Sequence, residues 1–346
     1  MEPVQTRNFT DPARLNAEAA AIKLAETQTD KVLAAYAARP DTFGGRYVAA
    51  DTFKELMPGY GESRASRNAL NGAVHNSAAV LASEQYRRML EQGPQPGRET
   101  VVFVTGIPGA GKSSTVASAV EGSASVVFEG QLSRPEPAMQ KIEHALQKGF
   151  KVEIVAVHVA PEVALDRTNT RYLDRDNGRG ASINVMSDIQ GNLPAGLRQI
   201  EERFGQNVSL TVLDNNPGQR NFKTGWDAIP TLEKEGNREH IHERLTTALE
   251  SGYRDGRYST GFYTQAAGGE PARGLAPSAG QEDGRSREQN GNRPGISQGN
   301  PKEDTLSPYA QGRQQNSDTS KPPTLKPNGP AQPGTDPVQV KRGRGR

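Results

Sequence analysis

The sequence predicts an α/β fold in which a parallel β-sheet is flanked by helices, with the strands in a rearranged order along the chain and a disordered polar tail behind them. Three observations carry this expectation. Short apolar runs alternate with helix-period segments between residues 101 and 213. One further apolar run, at residues 46–50, stands ahead of that series. Beyond residue 252, Gly, Pro, Gln, Ser, Asn and Arg dominate and apolar periodicity stops.

Residues 11–39 are rich in alanine, with Leu15, Ala19, Ile22, Leu24, Val32, Leu33 and Tyr36 near helical spacing, and Asp11-Pro12 is a helix-start signal. One or two helices are expected there. Residues 46–50 (RYVAA), between Gly44-Gly45 and Asp51, suit a buried parallel strand whose carboxyl end presents Asp51. Across residues 66–91, Leu70, Val74, Ala78, Leu81, Tyr86, Met89 and Leu90 follow a helical period as one long helix, ended by Gly-Pro-Gln-Pro-Gly in a linker at 92–100. Strands then fall at 101–106, 125–129, 151–159 and 208–213, and helices near 112–120, 136–148, 161–175 and 195–204. A further helix is expected at 241–250. Right-handed crossovers between such strands place ligands at their carboxyl ends. The chain thus divides into an N-terminal helical segment (1–45), a sheet domain (46–230), a helix (231–251) and a tail (252–346).

Composition limits the alternatives. Only 33% of the 346 residues are hydrophobic, too few for two full cores, so one folded domain with tails is expected. The 42 basic and 40 acidic residues leave a net charge of +2, which gives no global case for nucleic acid or membrane binding. The terminal KRGRGR at 341–346 reads as a solubilising basic end with at most weak nucleic-acid contacts. The absence of cysteine excludes disulfides, thiolate-held zinc and cysteine nucleophiles. No apolar run approaches the roughly 20 residues of a membrane helix, and residues 1–10 lack a signal-peptide pattern. The expected compartment is therefore the cytoplasm.

Gly106-Ile107-Pro108-Gly109-Ala110-Gly111-Lys112-Ser113 fits G-x-x-x-x-G-K-[ST] between an apolar strand and a helix, the setting of a phosphate-binding P-loop. The glycines let backbone N–H groups, continued at Ser114, turn toward a polyphosphate at the positive end of a helix. Lys112 would reach the β- and γ-phosphates, and the Ser113 hydroxyl would be a ligand for Mg²⁺ carried with ATP. A glycine turn that binds nothing is the structural alternative, and the strand–loop–helix context argues against it.

Phosphoryl transfer needs positive charge on the equatorial oxygens and a carboxylate beside the attacking hydroxyl. Asp51 and Glu129 are the candidate acids. From the residues alone, Asp51 reads either as a general base or as a helix cap or salt-bridged acid. Glu129 could hold Mg²⁺ through water, bind substrate, or simply end a strand. Arg167, Arg171, Arg175 and Arg179 fall four apart, as a comb over the γ-phosphate or as a solvated face paired with Asp166, Asp174 and Asp176. Glycines flank Arg179 and would permit lid movement. His75, beside Asn76 and Ser77, either lines an acceptor pocket or is a structural helix histidine, whereas His158 reads as a strand residue. His144, His240 and His242 lack zinc spacing, so Mg²⁺ is the metal expected.

The segment Asp51-Thr52-Phe53-Lys54 through Pro58 resembles the D-x-F-K-x-x-x-P segment of the zeta toxin family of bacterial small-molecule kinases. Val126-Val127-Phe128-Glu129-Gly130-Gln131 is similar to the family's VIEGT strand end, with Gln131 in place of threonine. Arg171-Tyr172, Arg179 and Asn192-Leu193-Pro194 are similar to its lid arginines and following NLP. The resemblance covers residues 46–215, and in the family the aspartate segment follows the P-loop, whereas here it precedes it. It implies that Asp51 is the base, that Arg171 and Arg179 rather than Arg167 and Arg175 serve the phosphates, and that the acceptor is UDP-N-acetylglucosamine. It also implies an antitoxin partner over the nucleotide site, a role the helices at 11–39 could imitate in cis. Other acceptors (an antibiotic, a nucleoside, an RNA end) stay open, as does a nucleotide-binding interaction protein without turnover.

Overall fold

The computed structural model describes residues 1–122, 124–174 and 178–269. The expected tail beyond residue 269, and Arg175, lie outside the described residues. In chain order the elements are α1 (Pro12–Thr27), α2 (Thr29–Ala37), β1 (Tyr47–Ala49), α3 (Ala50–Lys54), α4 (Arg64–Leu70), α5 (His75–Glu91), β2 (Thr100–Thr105), α6 (Lys112–Glu121) and β3 (Ala124–Glu129). They continue as α7 (Glu136–Gln147), β4 (Lys151–His158), α8 (Pro161–Leu173), α9 (Ile183–Phe204), β5 (Val208–Asp214), β6 (Asn221–Thr224), α10 (Pro230–Glu233), α11 (Arg238–Arg254) and α12 (Thr260–Ala266).

The sheet runs β1-β3-β2-β4-β5-β6, parallel throughout except for β6, which joins β5 antiparallel. The alternating faces of the strands feed two cores. Val101 and Phe103 of β2, with Val152 and Ile154 of β4, enter one core with α1, α2, α5 and α7, while Val102 and Val104 enter the other with α6, α8, α11 and α12. Both faces of the central strands are therefore covered, which is why β2 is apolar along nearly its whole length. Among the described residues no helix is long and apolar enough to cross a membrane.

The strand out of sequence order takes the place expected of it. Tyr47, Val48 and Ala49 lie in register with Val127, Phe128 and Glu129. Among the described residues its outer edge has no further strand, and Tyr36 of α2 takes over that function: the hydroxyl donates to the Tyr47 carbonyl at 2.8 Å and accepts from the Ala49 N–H at 3.0 Å. The ring stacks on Phe53 with centroids 3.7 Å apart. The N-terminal helices thus share the core of the sheet, through Ala21, Ala25, Val32, Leu33 and Tyr36.

Four expectations are corrected. The single helix over 66–91 is two, broken by turns at 71–74, a segment that contains Gly72, a poor helix former; there the Asn71 side-chain oxygen accepts from the Lys54 ammonium at 2.7 Å. α9 begins at Ile183 rather than 195, because Ser182 caps it by accepting from the Val185 N–H at 3.3 Å and the helix tolerates Pro194 within. β6 was missed because its four residues are all exposed and carry no apolar pattern. The ordered chain does not stop at 252: α11 runs to Arg254, and α12 buries Phe262 against Tyr172 and Tyr258, with centroids 5.6 and 5.1 Å away. Four aromatic residues among polar ones supply that packing, a signal that composition averages away.

Tyr36→Phe keeps the stacked ring but strands the buried Ala49 N–H. It is expected to lower unfolding free energy by about 1–3 kcal/mol, read from denaturant titration of the variant against the parent.

Candidate functional site

The P-loop sits between β2 and α6, as its sequence requires. Gly106 has φ of +140°, and a Cβ there would overlap the Val157 carbonyl oxygen, so only glycine lets β2 turn into the loop beside β4. The loop closes on itself where the Ala110 N–H donates to the Ile107 carbonyl at 3.1 Å. Lys112 Nζ donates to the carbonyls of Gly106 and Ile107 at 2.9 and 3.1 Å and stands 3.5 Å from Glu129 Oε1. Pro108, Gly109, Gly111 and the exposed Ser113 complete the cradle at the start of α6, and the side chain of Ser114 lies outside what the structure describes.

Two residues that sequence reasoning passed over hold this loop. Arg167, expected in a solvated face, instead turns its guanidinium onto the loop, 3.4 and 3.5 Å from the Gly109 and Ala110 carbonyls and 3.1 Å from the Asn215 carbonyl. Asn215, just past β5, donates to the Ala110 carbonyl at 2.7 Å. Its partner acid is correspondingly elsewhere: Asp166 accepts from Tyr258 and Arg257. The four-residue spacing of the arginines held the necessary signal, but only the packing of α8 against the loop selects Arg167. His158, at the end of β4, is more than a strand residue, since its Nε2 lies 3.2 Å from Glu235, which Arg244 also holds.

Register brings the acids to the same rim. Glu129 ends β3 opposite Ala49, and Asp51 lies in the first turn of α3, two residues past Ala49. Glu129 Oε2 accepts from the Tyr47 hydroxyl at 2.5 Å, and burial first, then the Glu129 charge, hold that phenol well above its ordinary pKa, so it stays a donor. Asp51 is not the cap of α3, which is Ala49. Its Oδ1 accepts from Lys54 Nζ at 2.8 Å and its Oδ2 lies 3.7 Å from Arg179 Nη1. Burial of its surroundings pushes this carboxyl up, but the charges of Lys54 and Arg179, the Lys54 hydrogen bond and Arg171 outweigh it and hold Asp51 well below the usual carboxylate range. With 56% of its side chain exposed, it stands open to solvent as a fixed negative charge.

Arg171 and Arg179 come together here. Arg171 Nε donates to the Arg179 carbonyl at 3.0 Å. Burial, and then the Arg179 charge, push the Arg171 guanidinium down. Burial alone would do the same to Arg179, but Asp51, Tyr60 and Glu55 raise it on balance. Arg179 Nε is buried without a hydrogen-bond partner. His75 opens α5 at the same end; burial, then the Lys54 charge, push its pKa down to about 4 against the opposing pull of Asp51. It is a neutral imidazole at neutral pH. An NMR titration should place the His75 ring near pH 4, and Lys54→Met should move it upward, since that substitution removes the strongest charge opposing protonation.

A model of the zeta toxin family matches residues 114–225, a segment that begins just past Ser113 and takes in Glu129, Arg171, Arg179 and Asn192-Leu193-Pro194. Asp51 and the loop glycines precede it. No curated protein matches the chain. Among solved structures, the chain is similar to the PezAT chromosomal toxin-antitoxin system of Streptococcus pneumoniae at 13% identity, covering 67% of this chain and 82% of that one with a TM-score of 0.34. It is also similar to the native AvrRxo1-ORF1:-ORF2 complex (14% identity, 71% and 90% covered, TM-score 0.40) and to that complex with ATP (17%, 66% and 70%, TM-score 0.38). The segment of this chain that matches the zeta toxin family is thus the one that carries Glu129, Arg171, Arg179 and the Asn192-Leu193-Pro194 run of α9.

Proposed function

We propose that the protein transfers the γ-phosphate of ATP to a hydroxyl of a small molecule, with Asp51 as the base. The observation that supports this most is the meeting of Lys112, Glu129, Arg171, Arg179 and Asp51 at the carboxyl ends of three adjacent strands, β2, β3 and β1. UDP-N-acetylglucosamine, the acceptor that the family resemblance implies, is the first to test.

Lys112 already rests on its own loop carbonyls, so an arriving triphosphate needs only to replace them as its partner. The backbone N–H groups of the loop and of the first turn of α6 bind the β- and γ-phosphates. Hard oxygen donors suit Mg²⁺, and the exposed Ser113 hydroxyl at the start of α6, with Glu129 across from Lys112, makes such a donor set. When bound, the ion would neutralise phosphate charge. The acceptor oxygen forms a bond to Pγ as the bond from Pγ to the β,γ-bridging oxygen breaks, ADP departs, and Asp51 takes the hydroxyl proton. A strongly ionised carboxylate is a weak base, which fits a loose transition state in which the proton moves late and the acid chiefly orients the hydroxyl. Arg171 and Arg179 supply positive charge to the transferring group. The pairs that link Asp51 to Lys54 and Arg179 keep it in place until the acceptor arrives.

With ATP·Mg²⁺ and a panel of UDP-N-acetylglucosamine, chloramphenicol and RNA ends, mass detection should find one phosphorylated acceptor. Lys112→Ala and Asp51→Asn should each lower its turnover by about 100-fold or more. ATP binding with no phosphorylated product on any acceptor, or full turnover by Asp51→Asn, would overturn the reading.

A further inference from the structure

The Gly178-Arg179-Gly180 segment reads in the sequence as a hinge, and the structure gives its glycines another purpose. A Cβ on Gly178, whose φ is +48°, would lie 2.8 Å from Arg64 Cβ of α4. A Cβ on Gly180 would overlap the side-chain oxygen of Gln265 in α12. The missing side chains are therefore seats for two neighbours, one that precedes the P-loop in the chain and one near the end of the described residues.

We propose that Asn68 of α4 and Gln265 of α12 form a socket that presets the Arg179 backbone for phosphoryl transfer, a deeper reading of the same site that rests on the kinase proposal. Asn68 spends its whole amide on this. One N–H anchors it to its own helix at the Arg64 carbonyl, 2.9 Å away. The other reaches the Gly178 carbonyl at 3.2 Å, and its oxygen accepts from the Gly180 N–H at 3.4 Å. Arg171 holds the Arg179 carbonyl between them. Three successive residues are thus fastened through their backbone, and the freedom that remains belongs to the Arg179 side chain, whose Nη1 lies 3.4 Å from the Asp51 carbonyl and 3.7 Å from its carboxylate.

Gln265 closes the opposite side. Its side-chain oxygen is buried against Gly180 with no hydrogen-bond partner, so it acts by contact. Its helix is held in turn by the Ser259 cap and by Phe262 against Tyr172. Arg64 completes the ring by placing its guanidinium 4.8 Å over Tyr172 and 3.4 Å from that residue's carbonyl. A cation whose backbone anchor is already fixed stabilises developing charge without reorganising the chain at the moment of transfer. Neither α4 nor α12 lies in the segment matched to the family, residues 114–225. Asn68 and Gln265 touch no reacting atom and are positioning residues.

Asn68→Ala and Gln265→Ala in the full chain should each lower kcat by about 10- to 100-fold while leaving the KM for ATP unchanged, and Gln265→Asn should recover part of the loss. In an Arg179→Ala background the same substitutions should cost nothing more, because they act only through that residue. Equal losses in both backgrounds, or no loss in either, would overturn the socket. Hydrogen exchange separates this outcome from failure of the kinase reading, since it needs no turnover: amides at 178–180 should exchange faster in Asn68→Ala and in Gly180→Ala, at an unchanged melting temperature. Unaltered exchange in both would discard the proposal even if the parent protein proves to be a kinase.

Discussion

Three residue pairs between β1 and β3 carry the site. Because Ala49 stands opposite Glu129, the chain leaves the sheet at Asp51 beside the place where β3 leaves it; Glu129 reaches Lys112 of the loop that follows β2, and Asp51 reaches Lys54 and Arg179. A slip of one residue would turn Tyr47 away from Glu129 and invert the burial of Val48. So short a strand at a sheet edge would pair weakly by itself, and the Tyr36 hydroxyl, bonded on both sides to its backbone, compensates. The alanine-rich N-terminal helices are in this sense part of the sheet.

The second organising feature is a cluster of opposite charges along the rim. Lys112 faces Glu129, and Asp51 lies between Lys54 and Arg179, with Arg171 close by. Lys112 is thus paired with Glu129, and Asp51 with Lys54 and Arg179, while Arg171 adds a further positive charge beside Arg179. Glu129 is oriented by Tyr47, and Asp51 by Lys54, which Asn71 holds in turn. That last contact ties the acid to the segment between α4 and α5.

Support for the site comes from far along the chain. Asn215 past β5 and Arg167 of α8 brace the P-loop, while α4 and α12 meet at Gly178 and Gly180. α9 binds the two faces together, placing Ile183, Met186 and Ile189 in one core and Leu193, Leu197 and Ile200 in the other.

Local pattern determined much of this protein. The apolar runs fixed five of the strands, because a doubly covered strand must be apolar along its length, and the glycine-lysine-serine spacing fixed the cradle, because backbone amides can surround a phosphate only where glycine allows the turn. Asp11 and Pro12 likewise announced α1 through chemistry within one helical turn. The tertiary structure decided whatever depended on partners distant in sequence. Arg167 and Arg171 share spacing and composition, and only the approach of α8 to the P-loop separates the arginine that braces the loop from the one that meets Arg179. Asn68, Gln265 and Asn215 carry no motif, since a side-chain amide becomes informative only when a backbone carbonyl or N–H from another part of the chain is brought within hydrogen-bonding reach.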